Sequence, residues 1–331
     1  MKWLGLRGFR RDGNGRHADE RLQEMLEANG ALPMSVPALL PASVPAQPPA
    51  PDASWALPVP VPDASEALPV PVPAQPPALE VPEGGFRFEG RRLGVLLVHG
   101  LTSTPRSMHA LGAALARHGL DVEGVQLPGH GTRPEDLIGV TWMDWYTKVL
   151  EALRAMRPRY DRVFVCGQSL GGSLALLLAA YEPVDGVISL AGVAYMRDWR
   201  LFFLPFMERL QPWRHSPGND IARPGVRDLG SYDRMPFTSL RQLLELAHLV
   251  RENLQKVRAP ALVMQSVVDH VVHTGNADYI YDHLGSRSKE IVRLQRSYHV
   301  ISLDNDFDLV VDRIVRFVRR VGCAREGATS A

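Results

Sequence analysis

A serine at position 169 stands in the run GQSLG, residues 167–171, between two glycines. The apolar run 162–166 before it is typical of a buried strand, and residues 170–180 after it are typical of a helix. A serine on the sharp turn between such elements presents its hydroxyl at the edge of a sheet, and flanking glycines let the crowded backbone close. The pattern predicts a nucleophile elbow. The alternative is a glycine-rich turn whose serine only caps the helix.

A serine hydroxyl is a weak nucleophile at neutral pH and needs a histidine base that is oriented by a carboxylate. Behind a nucleophile elbow, the acid and then the histidine follow the serine along the chain. Asp269 follows the predicted strand 261–265, and His299 follows the predicted strand 290–294. Catalytic groups of a parallel sheet lie beyond the carboxyl ends of its strands. Ser169, Asp269 and His299 are therefore the predicted catalytic triad.

Two pairs of polar residues close in sequence to the candidate triad suggest roles other than catalysis. His270 and His273 flank the candidate acid and could bind a metal with it, but the second half of a zinc motif is missing. We therefore predict neither a metal nor a cofactor. Asp304 and Asp306 follow the candidate histidine, and we expect them to cap the last helix.

Nucleophilic attack on an ester carbonyl creates an oxyanion, which needs preorganised hydrogen-bond donors. The backbone amide of Leu170, at the start of the helix, is the first predicted donor. The second is the amide of Leu101, in the loop after the predicted strand 94–98. Gly100 is expected to let this loop turn tightly. His99 is expected to shape the loop by hydrogen bonding and not to act as the base.

Strands and helical runs alternate from about residue 84, which predicts an α/β fold with a mostly parallel, doubly wound sheet. The predicted strands are 86–88, 94–98, 121–126, 162–166, 186–190, 261–265 and 290–294. The predicted helices are 107–118, 142–156, 170–180, 239–254, 277–284 and 307–321.

The alternation breaks between 194 and about 256, where tryptophan, phenylalanine, proline and arginine are frequent. We interpret this segment as a cap inserted into the sheet domain. Its aromatic residues are candidates for an apolar acyl pocket, or they only bury the cap against the main domain. These residues are Trp199, Phe202, Phe203, Phe206 and Trp213.

The N-terminal part of the chain has a different composition. Residues 33–83 hold 16 of the 27 prolines, and residues 51–61 are repeated almost unchanged as 62–72. Because proline removes a backbone donor and fixes φ, we predict a disordered linker. It is a spacer, a ligand for a proline-binding domain, or a segment with no partner. Residues 1–32 form an extension with a possible short helix at 18–28, the main α/β domain spans 84–325, and 326–331 are a tail.

Composition excludes several classes of partner. The 331 residues carry a formal net charge of +1 and are 45% hydrophobic, which is ordinary for a globular protein. That charge gives no field for nucleic acid or an anionic membrane and favours uncharged substrates. No apolar run is long enough to cross a bilayer, and the N-terminus lacks the apolar core of a signal peptide. We therefore predict a cytoplasmic protein.

Five motifs together resemble the bacterial carboxylesterase and monoacylglycerol lipase group of α/β-hydrolases. They are HGLT at 99–102, PGHG at 128–131, GQSLGG at 167–172, the run 266–271 around Asp269 and the run 297–304 around His299. The resemblance spans about 84 to 320 and implies the same triad and oxyanion donors, with no metal. It places the cap after the sixth strand. The group often carries an aromatic residue where Leu101 stands, which indicates a different acyl-pocket wall.

The resemblance implies a serine carboxylic-ester hydrolase that acts on short- to medium-chain acyl esters through an acyl-enzyme. The first alternative is a monoacylglycerol lipase. Thioesterase, acyltransferase and aminopeptidase activities share the triad and differ only in the pocket. A non-catalytic, tethered hydrolase scaffold is the alternative from another class.

Overall fold

The computed structural model describes residues 85–88, 93–196, 209, 212–216, 219–228 and 230–323. The predicted N-terminal extension, proline-rich linker and C-terminal tail lie outside these residues. The strands are β1 (Gly85–Phe88), β2 (Leu93–Val98), β3 (Asp121–Val125), β4 (Arg162–Gln168), β5 (Gly186–Leu190), β6 (Trp213–His215), β7 (Arg234–Pro236), β8 (Ala261–Ser266) and β9 (Lys289–Leu294). The helices are α1 (Pro105–Arg117), α2 (Trp142–Met156), α3 (Leu170–Tyr181), α4 (Phe237–Asn253), α5 (Gly275–His283) and α6 (Phe307–Cys323).

Seven of the described strands form one sheet in the order β1-β3-β2-β4-β5-β8-β9. Only β1 runs antiparallel to its neighbour, and the other pairings are parallel. The predicted α/β-hydrolase fold with a mostly parallel sheet is confirmed.

Strand residues pack alternately on the two faces of the sheet. In β2, Leu96 and Val98 join the core on one face, whereas Val95 and Leu97 join the core on the other. The first face is covered by α2, α3 and α4, and the second by α1 and α6. Because both faces are buried at the centre of the sheet, β2 and β4 are nearly continuous apolar runs, whereas the edge strand β9 is only partly buried and carries charged residues.

The insertion lies between β5 and β8 and carries the two-stranded antiparallel sheet of β6 and β7. Sequence reasoning missed both strands, since each has only three residues. The resemblance implied an insertion after the sixth strand. Counted within the described residues, the insertion follows the fifth strand.

No helix among the described residues is long and apolar enough to span a membrane.

Candidate active site

The carboxyl ends of the parallel strands bring the predicted site residues to one edge of the sheet. Val98 at the end of β2 is in register with Gly167 of β4, and Gln168 is in register with Leu190 of β5. On the far side, Ser266 of β8 is in register with Leu294 of β9. The loops that carry Leu101, Ser169, Asp269 and His299 all begin at this edge.

Ser169 lies on a strained turn between β4 and α3. Its backbone has φ 56° and ψ −115°, in a region that non-glycine residues rarely adopt. The Ser169 amide donates to the Leu190 carbonyl at 2.8 Å, which holds the turn against β5. Such strain persists only where the surrounding structure enforces it, and here it presents a half-buried hydroxyl at the sheet edge.

Two glycines let α3 pack close enough to enforce this turn. A Cβ added to Gly167 would lie 2.1 Å from the backbone of Gly171, and one added to Gly171 would lie 2.2 Å from the Val98 carbonyl oxygen. No side chain fits at either position. Leu170 is the first residue of α3, where the amide has no acceptor within the helix and is available to an anion.

The loop after β2 lies directly beside the serine. A Cβ added to Gly100 would be 3.5 Å from the Ser169 Cβ, which is an ordinary van der Waals distance, so the loop lies beside the serine with room for one methyl group. The left-handed residue of this loop is Thr102, with φ 65°, and not Gly100. Gly100 begins this turn, since the Ser103 amide donates to its carbonyl at 3.2 Å, but its φ is not positive, so the backbone conformation at position 100 does not itself require glycine.

Two buried histidines fix this loop. His99 Nδ1 donates to the Gly100 carbonyl at 2.9 Å, and its Nε2 accepts from the Leu127 amide at 3.2 Å. His130 likewise accepts from the Thr102 amide at 3.2 Å through Nε2. Burial lowers the pKa of His99 well below its usual value and that of His130 to about 4. Both rings are neutral at pH 7, and His99 shapes the loop as predicted.

Asp269 and His299 form a buried pair. His299 Nδ1 donates to Asp269 Oδ2 at 3.0 Å, and the two side chains are 9% and 0% exposed. The other carboxylate oxygen accepts from the amides of Val271 and Val272 at 2.9 and 2.8 Å. Burial raises the pKa of Asp269, but the His299 charge and these hydrogen bonds outweigh it, and the net pKa is lowered. The acid is ionised and can orient the imidazole.

The histidine loop is also held by its backbone. Gln168, next to the serine, donates its side-chain amide to the His299 carbonyl at 2.9 Å. The Asp304 carboxylate accepts from the Tyr298 amide at 2.7 Å, and the Asp306 carboxylate accepts from the Arg296 amide at 2.8 Å. These two carboxylates thus bind the histidine loop, and the expectation that they cap the last helix is wrong.

The side chains of the metal alternative are not grouped as ligands, since no three histidine, cysteine, aspartate or glutamate side chains among the described residues are placed to hold a metal ion. Both oxygens of the Asp269 carboxylate are hydrogen-bonded within the fold, and His270 Nδ1 is paired with Asp220 at 2.7 Å. His273 Nδ1 accepts from the Gly275 amide at 3.1 Å. These three side chains therefore serve the loop after β8.

The insertion contacts the loop after β2 through side chains. Thr102 Oγ1 lies 2.9 Å from Ser216 Oγ, and Ser103 Oγ donates to Asp228 at 2.6 Å. The Tyr232 amide donates to the Thr102 carbonyl at 2.8 Å. The insertion thus supports the loop that carries Leu101.

The candidate acyl-pocket residues are only partly within the structure. Trp199, Phe202, Phe203 and Phe206 lie outside the described residues. Trp213 is on β6, half-buried, with the Arg234 guanidinium 4.8 Å from its ring centroid. This contact is a packing role for Trp213, and its part in an acyl pocket stays a prediction.

Sequence reasoning missed the residues that support the site from a distance. Asp220 and Asp228 belong to no motif, and they meet the site only through the folding of the insertion. Asp304 lies in the run around His299, but its contacts with two backbone amides of the insertion have no local signal. The role of Gln168 could have been predicted from sequence, because a polar residue at the buried end of a strand needs a hydrogen-bond partner.

Comparisons with known proteins identify the family of this chain. Residues 90–306 match the model of the family described as serine aminopeptidase, S33. A thermostable monoacylglycerol lipase from Bacillus sp. (strain H-257) is 38% identical over 233 residues, which cover 70% of this chain and 92% of that protein. A carboxylesterase from Bacillus subtilis (strain 168) is 26% identical over 237 residues, which cover 71% of this chain and 96% of that protein.

A solved structure from work on LipS and LipT, two metagenome-derived lipolytic enzymes, is also similar. It is 34% identical, superposes with a TM-score of 0.69, and covers 72% of this chain and 97% of its own.

Proposed function

This chain belongs to the serine aminopeptidase S33 family of the α/β-hydrolase superfamily, and on that premise we propose that it is a serine carboxylic-ester hydrolase. Its substrates are short- to medium-chain acyl esters. The Asp269–His299 pair, buried at the sheet edge that bears the strained Ser169, is the observation that carries this proposal.

The reaction proceeds in two steps. As the Ser169 hydroxyl oxygen attacks the ester carbonyl, His299 Nε2 takes its proton and then gives that proton to the leaving alcohol. Water attacks the resulting acyl-enzyme with the same histidine as base, which releases the acid and restores the serine. Asp269 keeps the Nδ1 proton of His299 in place, because its Oδ2 accepts a hydrogen bond from Nδ1 at a distance of 3.0 Å.

The oxyanion of each tetrahedral intermediate is stabilised by the amides of Leu101 and Leu170. Leu170 supplies the free amide of a helix N-terminus, and the loop of Leu101 lies against the serine. The two neutral histidines, His99 and His130, hold that loop without adding a titrating charge near pH 7. Losing one such donor typically lowers kcat by about 100- to 1,000-fold.

A monoacylglycerol lipase is the second candidate. The 38% identity to the Bacillus monoacylglycerol lipase, over 92% of its length, favours a monoacylglycerol as the natural ester. The carboxylesterase relative, at 26%, favours a broader range of esters. Rates on monoacylglycerols and on p-nitrophenyl esters of matched acyl length decide between the two. The same panel should include an acyl thioester and an aminoacyl p-nitroanilide, which test the thioesterase and aminopeptidase alternatives.

Replacing the nucleophile tests the proposal. Ser169→Ala should lower kcat on p-nitrophenyl butyrate by about 10⁴-fold or more, since the serine, base and acid act as one unit. The melting temperature should be unchanged or higher, because alanine at this position removes only the hydroxyl. Ser286→Ala, at the amino end of β9, is the matched control and should retain wild-type kcat. Hydrolysis by Ser169→Ala at more than a tenth of the wild-type rate would contradict the proposal.

A further inference from the structure

Asp220 reaches the catalytic loops from the insertion. One of its carboxylate oxygens, Oδ2, accepts from the His299 amide at 3.0 Å and from the His270 amide at 3.2 Å. His299 carries the base, and His270 directly follows the acid Asp269. A single oxygen of the insertion thus joins the loop of the acid to the loop of the base.

The rest of Asp220 strengthens this junction. Its second oxygen, Oδ1, lies 2.7 Å from His270 Nδ1, and its backbone carbonyl accepts from the Val300 amide at 3.1 Å. The Asp220 side chain is only 14% exposed, and its hydrogen bond with the His299 amide is better shielded from water than its contacts with His270, whose side chain is 55% exposed. Two consecutive amides of the histidine loop, those of His299 and Val300, therefore bind one residue.

The segment around Asp220 is itself anchored to the domain. The fully buried Asp304 carboxylate accepts from the amides of Ala222 and Arg223, both at 2.8 Å, as well as from the Tyr298 amide. Asp220 is consequently fixed on the same carboxylate that fixes the histidine loop. These anchoring hydrogen bonds distinguish Asp220 from a surface aspartate that accepts from a single amide.

We propose that Asp220 is a positioning residue, which sets the distance between Asp269 and His299 from the insertion and so aligns the base with Ser169. This inference rests on the proposed function. Without the Asp220 carboxylate, the His299 backbone keeps the Gln168 contact at its carbonyl but loses the acceptor at its amide. The imidazole then samples positions away from the serine, and a displacement on the order of 1 Å is enough to slow such a reaction about 100-fold.

The test compares Asp220→Ala with Asp220→Asn in the full chain. Asparagine keeps an oxygen for the two amides, and its NH₂ group can donate to a neutral His270 Nδ1. Asp220→Ala should lower kcat on p-nitrophenyl butyrate by about 10- to 100-fold with KM changed less than about threefold, whereas Asp220→Asn should stay within about threefold of wild type. The rate of labelling by a fluorophosphonate should fall with kcat.

Asp185→Ala is the matched control for a loss of structure alone. Asp185 also accepts a backbone amide, that of Val163 at 2.9 Å, and pairs with Arg162, but it lies at the opposite end of the sheet. This variant should be less stable than wild type. Its kcat, expressed per serine labelled by the fluorophosphonate, should equal the wild-type value.

Three results would overturn the positioning role. They are wild-type kcat in Asp220→Ala, an equal loss of kcat in Asp185→Ala, and an equal loss in Asp220→Asn and Asp220→Ala. These three results can be interpreted only if the wild-type enzyme hydrolyses the ester and is labelled by the fluorophosphonate. If the wild type does neither, the proposed function itself fails, and the two failures are thus distinguishable.

Discussion

The Asp228 carboxylate is buried where the insertion meets the loop after β2. It is 5% exposed, and Oδ2 accepts from Ser103 at 2.6 Å while Oδ1 has no hydrogen-bond partner among the described residues. Burial raises the pKa of Asp228 to about 6, although the Ser103 hydrogen bond opposes the shift. An ionised carboxylate at this position is unfavourable for the fold.

This residue makes the stability of the protein depend on pH. Because the folded state holds the Asp228 proton more tightly than the unfolded state, stability falls as pH rises from about 4 to about 6. The penalty is fully present at pH 7.5 and amounts to about 3 kcal/mol or less. Asp228→Asn, which is neutral, should therefore raise the free energy of unfolding at pH 7.5 by about 1–3 kcal/mol.

Urea unfolding of wild type and Asp228→Asn at pH 7.5 and at pH 4 measures this effect. The difference between the two proteins should shrink toward zero at pH 4, where the wild-type carboxyl is protonated. A variant that is less stable than wild type at pH 7.5 would show that the charge of Asp228 stabilises the fold.

At the residue scale, sequence reasoning reaches the groups that belong to a local motif. Ser169 is marked by its glycines, and Asp269 and His299 by their places after two predicted strands. Asp220 belongs to no local motif. It accepts from the His299 amide, 79 residues away, and only the folded insertion brings the two together. Asp304 lies in the run around His299, but the two backbone amides of the insertion that it contacts are 82 and 81 residues away in sequence.

At the scale of elements, the strained turn that carries Ser169 depends on the close approach of α3 to β2. Gly171→Ala would place a methyl group 2.2 Å from the Val98 carbonyl oxygen and 2.7 Å from that of His99. Alanine usually stabilises a helix by about 1 kcal/mol relative to glycine, but this contact is with backbone that cannot rotate away. We expect a loss of at least about 2 kcal/mol in the free energy of unfolding.

Gly172→Ala is the control in the next position of the same helix. Its methyl group would lie 3.0 Å from the Gly167 carbonyl oxygen and from Ser189 Oγ, which small movements can relieve. Urea unfolding of the two variants should show the larger loss for Gly171→Ala, with a matching fall in fluorophosphonate labelling. Equal stability of the two variants would contradict the packing argument.

Elements with a strong apolar pattern were predicted within a few residues. The helix Trp142–Met156 and the strand Gly186–Leu190 have the predicted bounds. The short strands β6 and β7 were missed, because three residues carry no readable period. The tight turn of the loop after β2 was attributed to Gly100 because glycine tolerates positive φ, whereas the positive φ of this loop is at Thr102, where hydrogen bonds to the backbone hold it.

At the scale of the whole molecule, the sheet and the family match define a unit smaller than the chain. All seven strands of the described sheet lie between Gly85 and Leu294, and the family match covers 90–306. A chain shortened to residues 81–331 should therefore keep kcat and KM on p-nitrophenyl butyrate within about twofold of the full chain. A large loss of kcat would assign residues 1–80 a role in the site.

The fold class followed from composition and alternation, because a parallel sheet needs long apolar strands separated by helices. The support that the insertion gives to the site could not be predicted from composition or alternation. It depends on contacts such as Ser103 with Asp228 and His299 with Asp220, which cross between segments with no shared pattern.

The central claim is that Ser169 is the nucleophile and that His299 activates it. Mass spectrometry of the protein after reaction with a fluorophosphonate tests both parts, because the reagent remains on the serine that attacks it. We predict one adduct, on the peptide that contains Ser169, and a loss of labelling of about 100-fold or more in His299→Ala. An adduct on a different serine, or labelling of Ser169 that is undiminished in His299→Ala, would contradict the account.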